Sequence, residues 1–483
     1  MNPWPGVYVE SFTMDIRKHA PSTRKVRRDL VGGKRGNGNQ SKKAIRRPDP
    51  RNIRVGPSDP SLTAVAGLVG FGSFLREQGF DQTLRKLFGN LKSRTLSTYP
   101  METQLRLLID AFVIGEQRIF GIEGLAVDPL LVTLAGGMLP SIDTVYRDVC
   151  RFDDNCSQRL TTLMIAEGLA PVRSLRGNRV VHLDIDTTVT PVFGAEMQGA
   201  VPGPNPHYRG RPSYHPMVAR VAETDTCVNA QLRTGDTSFG NDDADFVADT
   251  IDDVRGAIGG KPLLYVRIDA AADCAAIMRT IHERGAFFLV KARMTQDLSG
   301  AVAMHLRWKT TDWDADGRPC RQVAEIDFRR GEWGESSKLP VRVIAVRSRE
   351  RDSGKQLVLW EGLDWTVQTY LTNDLYSDPD DLAWDYDGRA GIEPLIAEWK
   401  TAWGIGKFSC SSFAANAATL ILKLLSHNLV RRYIAERVPK LRGWRTSWVR
   451  RTILLVPGRL VRTGRSLWIR MQPRPALQLP QLE

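Results

Sequence analysis

Four residues in the C-terminal part of the sequence have the types and spacing to bind a metal ion beside phosphate. They are Tyr386, Arg389, Glu393 and Lys400. At about 100° per residue they would lie within about 60° of one another on a single helix. The alternative is a solvated helix face with ordinary charge pairs. Gly388, Gly391 and Pro394 interrupt the segment, so a helix that begins only after Arg389 is also considered.

Two aspartates end predicted β-strands. Asp186 follows the apolar residues Leu183 and Ile185, and Asp269 ends the strand predicted at Pro262–Asp269. Ligands bind at the carboxyl ends of strands in α/β sheets, and a carboxylate beside a buried strand is costly without a counter-ion. The pair therefore indicates a divalent cation site, with a loop or helix cap as the alternative for each residue. Asp184 competes with Asp186, because the period of two puts both on one face.

These residues, taken together, resemble a known family. The quartet is similar to the tyrosine-arginine-glutamate-lysine signature of DDE transposases from bacterial insertion sequences. Leu183–Thr188 resembles the first-aspartate strand of that family, and Gly203–Pro216 resembles a stretch that follows it in one branch. Tyr370–Asn373 resembles the strand that re-enters the core after a β insertion. The likeness covers about residues 52–435.

The resemblance implies the fold and the catalytic residues. The fold class is α/β, with a ribonuclease H-like core and a β-rich insertion, preceded by an all-helical domain. The resemblance implies Asp186, Asp269 and Glu393 as catalytic residues and as ligands of two Mg²⁺ ions, with Mn²⁺ as a substitute. Asp186 is favoured over Asp184 because it ends the strand, as in the family pattern. Ala270–Ala272 departs from the Gly-Phe or Gly-Tyr that often follows the second aspartate, which leaves the loop geometry and the activity open.

The expected reaction is phosphodiester cleavage at the ends of an insertion sequence, followed by transfer of the freed 3′-hydroxyl into target DNA. Two divalent ions about 3.5–4 Å apart would activate the nucleophile and stabilise the leaving oxygen. Arg389 and Lys400 would bind phosphates, and Tyr386 would orient a DNA strand. Two alternatives remain: a decayed transposase that acts as a DNA-binding repressor, which Ala270–Ala272 favours, and a nuclease that cuts without joining.

Charge and composition agree with a DNA partner. The 483 residues include 67 Lys and Arg against 54 Asp and Glu, and 42% are hydrophobic, which excludes a wholly disordered chain. Residues 1–60 carry 14 Lys and Arg against 5 acids, and residues 431–483 carry 13 against 2, so both ends suit phosphates. The sequence contains no P-loop and no C-x-x-C zinc ribbon.

The expected location is the bacterial cytoplasm, associated with the nucleoid. The six cysteines have no disulfide-framework spacing, which favours a reducing compartment. The apolar stretch Phe413–Val430 contains Asn416, Lys423 and His427, so it is read as a buried helix and no membrane partner is expected. A homodimer on DNA is expected because two element ends must be joined.

The chain is divided into segments by these patterns. They are a basic flexible arm at 1–55, a helical DNA-binding domain at 56–170, a ribonuclease H-like catalytic core at 171–294 and 367–435, a β-rich insertion at 295–366, and a basic C-terminal tail at 436–483. Within the helical domain, a helix capped by Ser141 would present Arg147 and Arg151 to a DNA groove. Arg209 and Arg211 are also candidate DNA contacts. An exposed basic face without DNA contact is the alternative.

Overall fold

The computed structural model describes residues 53–54, 56–92, 97–194, 196–205, 208–331, 339–349 and 365–471. Two compact units are distinguished, residues 1–58 and 59–483. The predicted basic arm lies almost entirely outside the described residues, and so do residues 472–483 of the predicted tail and Pro206 and His207 of the Gly203–Pro216 run. The second unit contains the helices and strands that follow.

Helices dominate the first part of this unit, as predicted. After the short strand β1 (Leu62–Thr63), they are α1 (Leu68–Glu77), α2 (Phe80–Phe88), α3 (Met101–Ile114), α4 (Ile122–Leu125), α5 (Pro129–Leu134), α6 (Ile142–Val149) and α7 (Asp154–Val172). The apolar residues of α3 make it almost wholly buried. Ser141 caps α6 by accepting a hydrogen bond from the Thr144 amide, as the sequence predicts.

An α/β core follows, and it confirms the predicted fold class. Its elements are β2 (Val180–Thr187), β3 (Thr190–Pro191), β4 (Ser213–Tyr214), β5 (Met217–Val221), β6 (Thr226–Gln231), α8 (Ala244–Ile258), β7 (Leu263–Ile268), α9 (Ala275–Glu283) and β8 (Phe287–Lys291). Strands β2, β7 and β8 run parallel, β5 pairs antiparallel with β2, and β6 pairs antiparallel with β5. The parallel strands therefore bring their carboxyl ends to one edge of the sheet.

The segment predicted as a β-rich insertion extends this same sheet. It contains α10 (Gln296–Met304), β9 (Lys309–Trp313), β10 (Pro319–Ile326) and β11 (Arg342–Ser348), and β12 (Thr366–Thr372) ends it. In the described residues the sheet has nine strands in the order β6-β5-β2-β7-β8-β12-β11-β10-β9. Because β12 pairs with β8, the added strands continue the core sheet instead of forming a separate one.

The last elements are α11 (Pro379–Asp387), α12 (Ile392–Glu398), α13 (Phe413–Arg437), α14 (Thr446–Val449), β13 (Gly458–Thr463) and β14 (Ser466–Met471). Helix α13 is long and apolar enough to cross a membrane, but 83% of its apolar window is buried within the protein. It packs against α7 and shares one apolar core with the helical part. Within the segment predicted as a basic tail, 436–483, the described residues through Met471 are folded, since Val449, Ile453 and Leu454 are buried and β13 pairs with β1.

Candidate active site

Asp186 and Asp269 lie side by side at the ends of neighbouring parallel strands. Asp184 of β2 is paired with Arg267 of β7, and two further residues along each strand lead to Asp186 and Asp269. Neighbouring strands are about 4.8 Å apart, so the two carboxylates share one edge of the sheet. Burial, with smaller effects from the charges of Asp269 and Glu393, raises the pKa of Asp186 to about 6, although Arg389 opposes the shift. Both other predicted acids therefore act electrostatically on Asp186.

The turn after Asp269 is formed by Ala270–Ala272, the residues that stand where Gly-Phe or Gly-Tyr was expected. They form one turn of 3₁₀ helix, which Asp269 caps by accepting a hydrogen bond from the Ala271 amide at 3.0 Å. Arg293 donates to the carbonyls of Ala270 and Ala271 at 3.0 and 3.1 Å. Asp273 is buried and accepts hydrogen bonds from the Arg293 amide and from Arg330. The alanine run is thus held as a compact turn directly after Asp269.

The quartet lies on a continuous helical path that changes its pitch. Tyr386 belongs to α11, Arg389 to a 3₁₀ turn at Gly388–Gly391, Glu393 to α12, and Lys400 to a π-helical turn at Trp399–Trp403. Of the two arrangements considered, the helix that carries Glu393 begins after Arg389, at Ile392, so one regular α-helix does not carry all four residues. Pro394 is tolerated because it lies in the first turn of α12.

Arg389 forms an ion pair with Asp186. Its Nη2 atom lies 3.1 Å from Oδ2 of Asp186, and the arginine is only 6% exposed. Burial lowers the pKa of Arg389, but the negative charges around it, first among them that of Asp186, together raise the pKa above its ordinary value. The guanidinium therefore supplies a counter-charge to Asp186.

Lys400 and Glu393 complete the surroundings of Asp186. Lys400 is half-buried and donates from Nζ to the carbonyl of Val189 at 3.0 Å, three residues beyond Asp186. Burial lowers the pKa of Lys400, and the charge of Asp186 opposes that change. Glu393 is exposed at the start of α12. The site therefore places two cations and three carboxylates at the strand ends, with the third carboxylate on the solvent side.

Tyr386, which is predicted to orient a DNA strand, is buried in this structure. It is 7% exposed, and its hydroxyl donates to the carbonyl of Ile268 at 3.3 Å. Its ring centroid lies 4.5 Å from that of Tyr370. In this structure the side chain contacts the protein core beside the end of β7, which leads into Asp269, and its role toward DNA stays a prediction.

Asp184, the competitor for the first position, is already paired. It is fully buried, and its carboxylate contacts the guanidinium groups of both Arg220 and Arg267. Those contacts include Nε and Nη2 of each arginine, at 2.6–3.0 Å. Three of these contacts fall on Oδ2 and one on Oδ1, so two guanidinium groups already neutralise this carboxylate. Sequence reasoning did not identify either arginine, since only the cross-strand register places them beside Asp184.

The candidate DNA-binding arginines outside the quartet lie on exposed surfaces. Arg147 donates within α6 to the carbonyl of Asp143, and Arg151 pairs with Asp148 at 3.0 Å. Arg209 is exposed, and the guanidinium of Arg211 lies 4.5 Å from the ring centroid of Phe193. Phe193 is 75% exposed. Sequence reasoning missed it because its partner, Arg211, is distant along the chain.

The three acids have the right donor atoms for a divalent cation, but they are not spaced to bind one in this structure. Carboxylate oxygens are the hard ligands that Mg²⁺ prefers. Among the residues that the structure describes, however, no three His, Cys, Asp or Glu side chains come close enough together to hold a metal ion. Arg389 pairs with Asp186 instead, and Glu393 faces solvent. Binding of a cation would require Arg389 to release Asp186 and Glu393 to turn inward.

The chain is similar to one known protein family over most of its length. A family model described as "Transposase DDE domain group 1" matches residues 47–478. Among solved structures, a cryo-EM structure of the piggyBac transposase synaptic complex with hairpin DNA is 12% identical, and the match covers 80% of this chain and 84% of that one, with a TM-score of 0.36. The comparison with curated proteins gave no match. The family model thus spans the helical part, the sheet and the candidate site.

Proposed function

Because the chain belongs to the DDE transposase family, whose members cut and join DNA, we propose that it moves an insertion sequence by a two-metal reaction at Asp186, Asp269 and Glu393. The substrates are the DNA ends of the element and a target duplex. Cleavage frees a 3′-hydroxyl at an element end, and that hydroxyl then attacks a target phosphodiester. The observation that carries the proposal is the position of Asp186 and Asp269 at the ends of two neighbouring parallel strands, with Arg389 3.1 Å from Asp186.

The three acids have distinct places in this proposal. Asp186 and Asp269 are fixed by their strands and by hydrogen bonds from the amides of Thr187 and Ala271. Glu393 is exposed on α12, so it can complete the ligand set once DNA is present. Bound Mg²⁺ ions supply an activated nucleophile and stabilise the leaving oxygen. The three acids supply three negative charges against the four positive charges of two Mg²⁺ ions. The remaining positive charge would favour the scissile phosphate.

Arg389 and Lys400 bind the phosphates in this account. The planar guanidinium of Arg389 matches two phosphate oxygens, and its pairing with Asp186 keeps it at the site before DNA binds. Lys400 provides a second cation, held by the carbonyl of Val189. Arg147, Arg151, Arg209 and Arg211 are proposed to contact DNA farther along the duplex through their exposed side chains.

The proposal extends to the assembly and its setting. Joining two element ends calls for a homodimer on DNA, and the element is proposed to be a bacterial insertion sequence that is mobilised in the cytoplasm, at the nucleoid. The helical part, with the exposed arginines of α6, is proposed to recognise element-end DNA.

The test is cleavage of labelled element-end duplex with Mg²⁺, followed by joining of a pre-cut 3′ end to a target duplex. Asp186→Asn, Asp269→Asn and Glu393→Gln should each abolish both steps while DNA binding is retained. The matched control is Asp245→Asn, an exposed aspartate in the first turn of α8, which should react as the parent does. Cleavage by all three variants at the parent rate would refute the assignment.

Two other results of the same assays would identify a different function. A parent protein that binds element ends and never cleaves them would be a DNA-binding repressor. A parent protein that cleaves but does not join a pre-cut end would be a nuclease.

A further inference from the structure

A buried row of charges lies beneath the helical path that carries Arg389 and Glu393. Arg220 of β5, Asp184 of β2 and Arg267 of β7 stand opposite one another on three adjacent strands. They are 4%, 0% and 3% exposed. Charged groups this deeply buried need partners on every side. Arg220 meets that need with a second ion pair to Asp225, at 3.0 Å.

Both arginines are also linked to this helical path, Arg267 directly and Arg220 through a chain of ion pairs. Arg267 donates from Nη1 to the carbonyl of Asp385 in α11 at 2.5 Å. Asp225 lies 3.9 Å from Arg431 of α13, and Arg431 lies at the same distance from Glu398 at the end of α12. The charge row is therefore connected to the path both before Arg389 and after Glu393.

Two glycines allow the path to approach this closely. A Cβ atom on Gly388 would lie 2.8 Å from Nη1 of Arg267, and one on Gly391 would lie 2.7 Å from Nη2 of Arg220. Both glycines have ordinary helical φ angles, −59° and −64°, so alanine would carry no backbone penalty there. The guanidinium groups cannot easily give way, because ion pairs to Asp184 hold them in place.

We infer that Arg220 and Arg267 are positioning residues for the catalytic site. Asp184 holds the two guanidinium groups in place, and their contact with the Gly388–Gly391 turn determines how far that turn lies from the sheet. This distance in turn determines how closely Arg389 and Glu393 approach Asp186. The inference rests on the proposed function, since it concerns the same three acids. It assigns a role to the carboxylate that competes with Asp186 in the sequence: Asp184 anchors the arginines and binds no metal.

The test measures Mn²⁺ binding by titration calorimetry in the absence of DNA, together with the Mn²⁺ concentration for half-maximal cleavage. Gly388→Ala and Gly391→Ala should each weaken Mn²⁺ binding about tenfold or more, the usual effect of disturbing groups that orient metal ligands. Gly256→Ala is the matched control. It lies in α8 with no atom within 4 Å of its added Cβ, and it should bind Mn²⁺ as the parent does.

A double-mutant cycle identifies the contact responsible. Arg220→Lys removes the Nη2 atom that an alanine at 391 would meet, so Gly391→Ala should change Mn²⁺ affinity less than about threefold in that background. Gly388→Ala with Arg267→Lys gives a second cycle if a variant of the first does not fold, which thermal melting reports. Parent-like Mn²⁺ binding by both glycine variants, or an equal loss in the lysine backgrounds, would overturn the inference. Failure of the parent to cleave DNA would instead refute the proposed function, while calorimetry would still test the positioning role.

Discussion

The guanidinium of Arg389 lies 3.1 Å from the carboxylate of Asp186, so the first of the three proposed catalytic acids has an ion-pair partner within the protein. The pair balances the repulsion from Asp269 and Glu393, both of which raise the pKa of Asp186. A divalent cation must compete with this arginine, and the released guanidinium then becomes available to the scissile phosphate. Cation binding and phosphate binding are therefore expected to be linked through one side chain.

Removal of Arg389 should separate these two effects. Without its guanidinium, Asp186 loses its ion-pair partner and keeps the half-buried Lys400 as a cation nearby, so Arg389→Ala should bind Mn²⁺ more tightly than the parent does in the absence of DNA. Cleavage should nevertheless fall about 100-fold, because the phosphate loses a preorganised donor. Calorimetry and single-turnover cleavage measure the two quantities. Unchanged or weaker Mn²⁺ binding, or cleavage at the parent rate, would contradict the proposed competition.

Lys423 should make the stability of the fold depend on pH. Burial lowers its pKa to about 7, and its Nζ donates to the carbonyls of Gly404 and Lys407 at 2.6 and 2.8 Å. An unfolded lysine titrates near pH 10.4. Between these values the unfolded state binds more protons, so the contribution of Lys423 to the free energy of unfolding rises with pH, by at most about 1.4 kcal/mol per unit.

The comparison that isolates this effect is urea unfolding of the parent and of Lys423→Met, which keeps a long apolar side chain. The parent should gain stability relative to the variant as pH rises from 7 to 10, and the difference should be constant below pH 7. Parallel pH profiles over the whole range would show that Lys423 does not titrate as proposed.

Asn428 should hold the helical part to the sheet. It is fully buried in α13, accepts a hydrogen bond from the Cys227 amide of β6, and donates to the carbonyls of Cys227 and Met164, the latter in α7. Asn428→Ala leaves these buried groups without partners and should lower the free energy of unfolding by about 3 kcal/mol. The exposed Asn241→Ala should change it little. A loss below about 0.5 kcal/mol in Asn428→Ala would contradict this role.

Local patterns were sufficient to predict most of the elements that carry the site. Apolar runs followed by aspartate located β2 and β7, and the Ser141 cap located the start of α6. The polar residues within Phe413–Val430 correctly indicated a buried helix, and one of them, Asn428, pairs with backbone groups of two other elements.

Features that depend on long-range register could not be predicted in this way. Arg220 and Arg267 are distant from Asp184 in sequence, and only the pairing of three strands makes them neighbours. Tyr386 donates to the carbonyl of Ile268, 118 residues away along the chain, and Arg267 and Arg220 approach Gly388 and Gly391 from other strands. Spacing alone places the quartet on one face but does not determine which members face inward.

The most direct test of the central claim, that Asp186 is a ligand of the catalytic cation, is the metal preference of Asp186→Cys in cleavage of element-end DNA. A thiolate is a softer ligand than a carboxylate and suits Mn²⁺ better than Mg²⁺. The account predicts that Asp186→Cys is inactive with Mg²⁺ and recovers cleavage with Mn²⁺, while Asp186→Ala is inactive with both. Equal cleavage by Asp186→Cys and the parent in Mg²⁺ would contradict it.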